Sequence, residues 1–538
     1  MAVHGGWGLQ RNAEKEQSAA WDAASWVLLL LILVLVALTF RDYGISWDEQ
    51  GQNTYGKLLL DYYLSGFKDV RAFSFANLYY YGGSFDIVAA VLNRFLPFGE
   101  YETRHLLGGL VGVLGFLGVW KLGRELGGPR TGFIALILLA TTARFYGHTF
   151  TNPKDIPFAV ALIWTLLYLI RSVNEVPDIR LSTALKLGLA FGLALGTRVG
   201  AVIIAPSFLL PFFLRMVGRL LDGVWPAEAC WEAIASLLRL IPAAITAYLV
   251  MIACWPWAAQ NLANPIVAMK MFSHFPFTGK VPFEGELIPA MNLPSDYLPD
   301  LLFLGLPPTL LGGLAVALLV GGAALLIKRE ALLEPRSLGI LAVLLAAAVP
   351  IVYFVVETPP AYNGFRHFLF VIPPLAVLAA LGLNLLLELP SPMSTLTALL
   401  LAAGIAWQVS VMVRLHPEEY VYFNIFAGGP AGAQGRYEVE YWGTSLRETT
   451  KDMVDLLQRT EGVPATPLKV YVCADTTSAA YYFPPWLVPV RDKNEADLQV
   501  ALNQFYCSSP PGSHRLVETR RMGALLSYAD DLRGARRN

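Results

Sequence analysis

The sequence predicts a polytopic α-helical membrane protein of about eleven spans, followed by a small C-terminal α/β domain. Three observations carry that expectation. Of the 538 residues, 55% are hydrophobic and 15% are charged, whereas soluble globular chains hold about 25% charged residues. Apolar runs of bilayer-crossing length recur between residues 25 and 413. From about residue 440 the sequence turns polar and alternates between helix-like and strand-like patterns. The formal net charge of -1 offers no bulk attraction to nucleic acid, and no nucleic-acid partner is expected.

In chain order, residues 1–24 form a polar segment, "MAVHGGWGLQRNAEKEQSAAWDAA". The apolar run after it lacks a small-residue cleavage site, so it reads as a retained signal anchor behind a cytoplasmic N-terminal segment. Spans are expected over 25–40, 105–123, 131–148, 156–171, 183–197, 200–217, 233–254, 302–327, 337–356, 367–388 and 394–413. The region 183–217 could be divided differently, and the apolar stretch 84–98 could lie along the interface. Basic residues gather in four short loops: Lys121, Arg124 and Arg130; Arg171, Arg180 and Lys186; Arg215, Arg219 and Arg239; Lys328, Arg329 and Arg336. With the N-terminus inside, the positive-inside rule makes all four cytoplasmic. The opposite side then receives loops 41–104 and 255–301 and the region 414–538.

Both long loops are rich in Tyr, Trp and Phe, as interfacial segments are. After about residue 440, "SLRETTKDMVDLLQR" has an amphipathic helix pattern. "LKVYVCA", "ADLQVAL", "RLVETRR" and "ALLSYA" have strand patterns, and "TTSAAYYF" fits a short helix. No glycine-rich phosphate fingerprint is present. Cys473 and Cys507 both fall in this region and could pair if it faces an oxidising compartment.

Chemistry-bearing residues concentrate at the expected outer ends of the spans. Asp48 and Glu49 follow the first, and Arg104 and His105 open the second. Arg144, His148, Lys154 and Asp155 join the third and fourth, Arg198 lies between the fifth and sixth, and Arg366 and His367 open the tenth. Tyr297, in "SDYLPD", ends the second long loop and is, with His148, an acceptor-side or loop candidate. Such a face suits transfer from a lipid phosphate. The leaving phosphate is a weak base and needs cations rather than a general acid, while the accepting hydroxyl or amine needs a base. Neighbouring residues on a helix point about 100° apart, so at most one of Asp48 and Glu49 faces the acceptor. Asp48 is the expected base, with Glu49 orienting a helix end or touching the acceptor. Arg104, His105, Lys154, Arg198, Arg366 and His367 are the expected phosphate-binding set. Each residue also has a plainer reading: Asp155 as a helix-start carboxylate, the arginines as snorkelling anchors.

These motifs resemble a known family. The acidic pair in "SWDEQ" resembles the Asp-Glu motif of protein O-mannosyltransferases, glycosyltransferase family 39 of the GT-C superfamily. "NPKDIPFA" resembles the superfamily's second acidic motif, and "FRHFLFVIPPLAVL" the later Arg-plus-proline helix of bacterial relatives. The resemblance covers roughly 25–410; "HPEEYVYFNIFAGG" and "YEVEYWGTSLRE" resemble segments after the last span in bacterial members. It implies a GT-C fold, a polyprenyl-phosphate sugar donor, an inverting displacement and an extracytoplasmic acceptor. It further implies Asp48 as base, Asp155 as a second acid, and a bacterial cytoplasmic membrane with the site on its outer face. The C-terminal region does not resemble the β-trefoil domain of eukaryotic members, so glycan, lipid and protein acceptors all stay open. Metal use varies across the superfamily; a divalent ion stays open, and no convincing ligand cluster is visible. A transporter or lipid flippase is the alternative expectation, and a non-catalytic membrane scaffold a third.

Overall fold

The computed structural model describes residues 4–273, 275, 277–327 and 333–534. Lys328 and Arg329, assigned above to a loop, lie outside the described residues. The chain is an integral membrane protein, mostly helical, with a C-terminal sheet domain. It begins with α1 (His4–Thr39), whose apolar half presents Leu30, Leu31 and Leu38 outward. The segment 41–104 is structured throughout. It contains α2 (Glu49–Leu64), two short 3-10 turns, and α3 (Ser84–Leu92) from the 84–98 stretch.

The second and third expected spans meet in α4 (Glu100–Ala140), which is broken at Gly128 by φ 85° and ψ 178°. Glycine adopts that φ without the Cβ clash other residues suffer, and the Pro129 that follows cannot continue the helix ladder. The two limbs fold back on each other. A Cβ added at Gly132 would meet the Trp120 carbonyl oxygen at 2.8 Å, although these residues would stand about 18 Å apart along an unbroken helix. The expected span 131–148 is also divided. The second limb ends at Ala140, and α5 (Ala143–Thr151) follows as a separate buried helix.

Next come α6 (Asp155–Asn174), the 15-residue α7 (Leu181–Leu195), a 3-10 turn over Val199–Ile204, and α8 (Pro206–Leu221). The expected span 233–254 is made by α9 (Pro226–Arg239) and α10 (Ile241–Cys254). Two short helices, α11 (Pro256–Gln260) and α12 (Asn264–Ser273), lead to the hairpin of β1 (Lys280–Phe283) and β2 (Glu286–Pro289). The expected span 302–327 is bent by 118° between α13 (Tyr297–Gly305) and α14 (Pro308–Ile327), where Pro307 and Pro308 interrupt backbone hydrogen bonding. The last spans are α15 (Pro335–Glu357), α16 (Ile372–Leu387, entered by a 3-10 turn from Arg366) and α17 (Met393–Leu415).

Among the described residues, eight helices are long and apolar enough to cross a membrane, or nine with the bent α13–α14 pair. Counting the second limb of α4 and the shorter α7 separately gives the eleven segments expected from the sequence.

After α18 (Gly429–Ala433), α19 (Leu446–Thr460) lies on a five-stranded sheet of order β4-β3-β5-β7-β6. The strands are β3 (Leu468–Cys473), β4 (Leu487–Val490), β5 (Leu498–Leu502), β6 (His514–Arg521) and β7 (Ala524–Asp531), with α20 (Thr476–Ala480) between β3 and β4. β3 pairs parallel with β4 and β5, while β7 pairs antiparallel with β5 and β6. The buried Leu446, Met453 and Leu457 of α19 pack on Val470, Leu498 and Val500. Cys473 and Cys507 form a disulfide. The carboxyl ends of β3 and β5 face α2 and the segment around Glu440. Thr477, just beyond β3, donates to Gln50 Oε1 at 2.6 Å, and Gln504, just beyond β5, donates to the Glu440 carbonyl.

Candidate active site

Asp48 ends the short connection between α1 and α2, and that connection is pinned from two sides. Ser46 Oγ donates to the Thr151 carbonyl at 2.7 Å, and the Trp47 amide donates to the Trp442 carbonyl at 2.8 Å. Gly44 is required there: a Cβ would lie 2.0 Å from the Thr444 carbonyl oxygen. Asp48 is thereby delivered to Arg366, whose Nη1 lies 3.3 Å from Asp48 Oδ2 and 3.7 Å from Asp155 Oδ2. Asp155 opens α6, where a carboxylate complements the helix dipole. Its side chain accepts from Asn152 Nδ2 at 2.8 Å, its amide donates to Asn152 Oδ1 at 3.0 Å, and it is ion-paired with Arg198.

Lys154 stands beside this chain of charges with its Nζ 4.4 Å from the centre of the Tyr81 ring. Among the described residues, no carboxylate lies within ion-pair distance of it. Residues from four separated stretches of sequence thus form one cluster of three cations and two carboxylates. Burial pushes the Asp48 carboxyl up, but Arg366, Lys154 and Arg198 outweigh it and hold the group below the usual carboxylate range. Asp48 is therefore an anion at neutral pH. Burial pulls the Lys154 ammonium down.

The other sequence candidates fall elsewhere. Glu49 is fully buried; its Oε2 accepts from the Ser46 amide at 2.8 Å and lies 3.2 Å from His105 Nε2. It braces the connection and occupies His105. Arg104 is buried against Asp86, Nη2 to Oδ1 2.6 Å. Neither Arg104 nor His105 joins the Asp48 cluster, because internal carboxylates engage both. His148 is buried, with Nδ1 accepting from Trp442 Nε1 at 3.1 Å and Nε2 3.0 Å from the Tyr441 hydroxyl. That network assigns the proton to Nε2. Burial, Arg144 and Arg366 hold its basicity well below that of an ordinary histidine. Tyr297 is buried against Phe283 and Phe354. His367, by contrast, stays beside the cluster, edge-on to the Tyr362 ring that also underlies Arg366, ring centres 4.8 Å apart. Arg144 donates to the Tyr422 carbonyl at 2.6 Å and lies 4.2 Å from the Phe423 ring centre.

Sequence reasoning missed four contributors. Asn152 caps Asp155, and its Asn-x-x-Asp spacing was visible. Tyr81 underlies Lys154, Tyr362 underlies Arg366 at 5.1 Å, and Trp442 faces Arg366 at 4.7 Å; no local signal announces these. Among the described residues no group of three or more His, Cys, Asp or Glu is placed to hold a metal ion. Asp48 and Asp155 both face guanidinium groups, a donor set that does not fit a divalent cation.

An apolar groove of about 380 Å³ runs between α3, α4, α6 and α7, lined by Phe85, Val88, Leu107, Leu114, Trp164 and Leu189. Ser84 and Thr197, also in its lining, share a 2.8 Å hydrogen bond, and Thr197 adjoins Arg198. Tyr168 and Lys186 lie farther along α6 and α7.

Residues 103–245 match the family described as dolichyl-phosphate-mannose-protein mannosyltransferase. The match covers about a quarter of the chain, and over that segment the protein is similar to a family of membrane glycosyltransferases. Among solved structures, the chain is similar to ArnT from Cupriavidus metallidurans bound to undecaprenyl phosphate. That match has 15% identity and TM-score 0.48, and covers 94% of this chain and 97% of that one. ArnT in its apo state gives TM-score 0.49 at 15% identity, covering 94% and 98%. The archaeal oligosaccharyltransferase AglB from Archaeoglobus fulgidus, in complex with an inhibitory peptide and a dolichol-phosphate, gives 0.45 at 14% identity, covering 88% and 69%. No curated protein sequence matches the chain.

Proposed function

We propose that the protein transfers a sugar from a polyprenyl-phosphate-linked donor to a glycan, lipid or protein acceptor. The reaction runs on the outer face of a bacterial cytoplasmic membrane, by one inverting displacement, with Asp48 as the base. The observation that carries this reading is the meeting of Asp48 and Asp155 with Lys154, Arg198 and Arg366 beside a groove suited to a prenyl chain. The donor's phosphate lies against Lys154, Arg198 and Arg366, and its chain follows the groove past Thr197. The acceptor oxygen or nitrogen attacks the anomeric carbon as the bond from that carbon to the phosphate oxygen breaks. The electron pair leaves with polyprenyl phosphate, and the acceptor's proton passes to the Asp48 carboxylate. The cations stabilise the charge that grows on the leaving oxygen. Asp155 keeps Arg198 and Arg366 in place. No step requires a metal.

A transporter would concentrate charge at mid-membrane depth; here the cluster sits at helix ends. The test is reconstitution of the purified protein with a polyprenyl-phosphate sugar and a cell-envelope extract, read by mass spectrometry. Free polyprenyl phosphate and a glycosylated acceptor are expected in equal amounts. Accumulation of intact donor across sealed vesicles, with neither product formed, overturns the reading.

A further inference from the structure

One residue that the proposed reaction does not use touches three elements of the site. Trp442 is fully buried. Its backbone carbonyl accepts from Trp47, the residue before Asp48, at 2.8 Å. Its indole N–H donates to His148 Nδ1 at 3.1 Å. Its ring faces Arg366, with Cζ 4.7 Å from the ring centre. The segment around it is fixed by the C-terminal region. Glu440 accepts from the Gly443 amide at 2.6 Å, and Gln504, beyond β5, holds the Glu440 carbonyl. On the same segment, Glu438 Oε2 accepts from the Gly364 amide at 3.0 Å. Gly364 and Asn363 both have positive φ, 63° and 59°, in the turn just before Arg366. The guanidinium is thus gripped through its side chain by Trp442 and through its backbone turn by Glu438.

We propose that Trp442 is a positioning residue, the side chain through which the C-terminal region fixes Arg366 for the donor phosphate. The inference rests on the reading of Arg366 as a phosphate-binding cation. An aromatic face attracts a guanidinium without consuming its N–H donors, so Trp442 can hold Arg366 while leaving those donors to Asp48, Asp155 and an incoming anion. A carboxylate in that position would compete with the phosphate.

The test is a double-mutant cycle on undecaprenyl phosphate binding, read by native mass spectrometry of the full-length protein in detergent. It needs no turnover. Trp442→Leu is expected to weaken binding about 5- to 30-fold, the fold-change that a desolvated cation–π contact represents. In an Arg366→Gln background the same change is expected to cost less than about twofold, because the group it acts through is gone. Trp442→Phe keeps a weaker aromatic face and loses the indole N–H, so a smaller loss is expected, again absent beside Arg366→Gln. The Phe variant decides the matter should Trp442→Leu fail to fold. A loss of equal size in both backgrounds, or no loss in either, overturns the proposal. Wild-type protein that binds no undecaprenyl phosphate would instead overturn the underlying donor reading.

Discussion

Asp48→Asn gives a prediction with two opposite signs. Replacing a general base removes roughly 10²- to 10⁴-fold of rate, about 3 to 5 kcal/mol of transition-state stabilisation. The same change removes one negative charge beside the cations expected to bind the donor phosphate. A carboxylate about 7 Å from that phosphate repels it by about 2 kcal/mol at an effective dielectric near 20. The Asp48 side chain is 29% exposed, and solvent screening reduces the repulsion to about 1 kcal/mol. Donor lipid should therefore bind about fivefold tighter while transfer collapses. The fold should persist, because Arg366 keeps Asp155 at 3.7 Å and Asp155 keeps Arg198. The assay pairs single-turnover release of polyprenyl phosphate with lipid affinity measured on the same preparation. Transfer within tenfold of wild type would remove Asp48 as the base. Lost transfer with weakened lipid binding would mean that the carboxylate supports the donor site instead of opposing it.

Lys154→Gln should raise the donor dissociation constant about 10- to 100-fold, the worth of a charge-assisted hydrogen bond, with little effect on melting temperature. Its ammonium rests on Tyr81 and has no ion-pair partner among the described residues; unchanged lipid binding would exclude it from the phosphate site. Arg104→Leu should cost about 3 to 5 kcal/mol by leaving buried Asp86 unpaired, and Arg104→Leu with Asp86→Leu should recover much of the folded yield. A folded Arg104→Leu protein that has lost only donor binding would contradict that assignment. Burial raises the Glu438 carboxyl from its ordinary 4.5 to about 7. The folded state then holds more protons than the unfolded state between those values, so this group's contribution falls as pH rises through that window, by about 3 kcal/mol in all. Glu438→Gln should flatten the decline, seen as a higher melting temperature than wild type at pH 8 and little difference at pH 4.

The sequence carried the membrane helices and the C-terminal strands because burial imposes a regular pattern. Long apolar runs and period-two alternation survive whatever the tertiary packing does. It also brought Asp48, Lys154, Asp155, Arg198 and Arg366 to one rim, because topology alone puts those helix ends on one face. It did not reveal which charges are already engaged. Arg104 and His105 look as available as Arg366 in a linear reading, yet Asp86 and Glu49 hold them, and such pairings depend on helix rotation and depth. The break in α4 did have a local sign: Gly128–Pro129 joins a residue tolerant of positive φ to one that ends helices. Trp442 had none. Its contact with Arg366 crosses from the region after the last span into the membrane domain, and only the folded chain brings the two together.

Charge counting links this geometry to the proposed reaction. Three cations face two carboxylates, leaving one positive unit before any substrate arrives. A sugar joined to a prenyl phosphate is a phosphodiester with a single negative charge, which would neutralise that excess. As the bond to the sugar breaks, the phosphate becomes a monoester whose charge approaches two at neutral pH. In the proposed reaction the same cations would therefore hold the leaving group more tightly in the transition state than in the bound donor, the differential on which catalysis depends. Asp48 changes in step. Every guanidinium or ammonium interaction transferred to the departing phosphate would be withdrawn from its carboxylate, so on the proposed mechanism its basicity would rise as the acceptor's proton comes away. A pocket with equal numbers of cations and carboxylates could bind the donor, but it would lack the unspent positive charge that makes departure of the phosphate favourable.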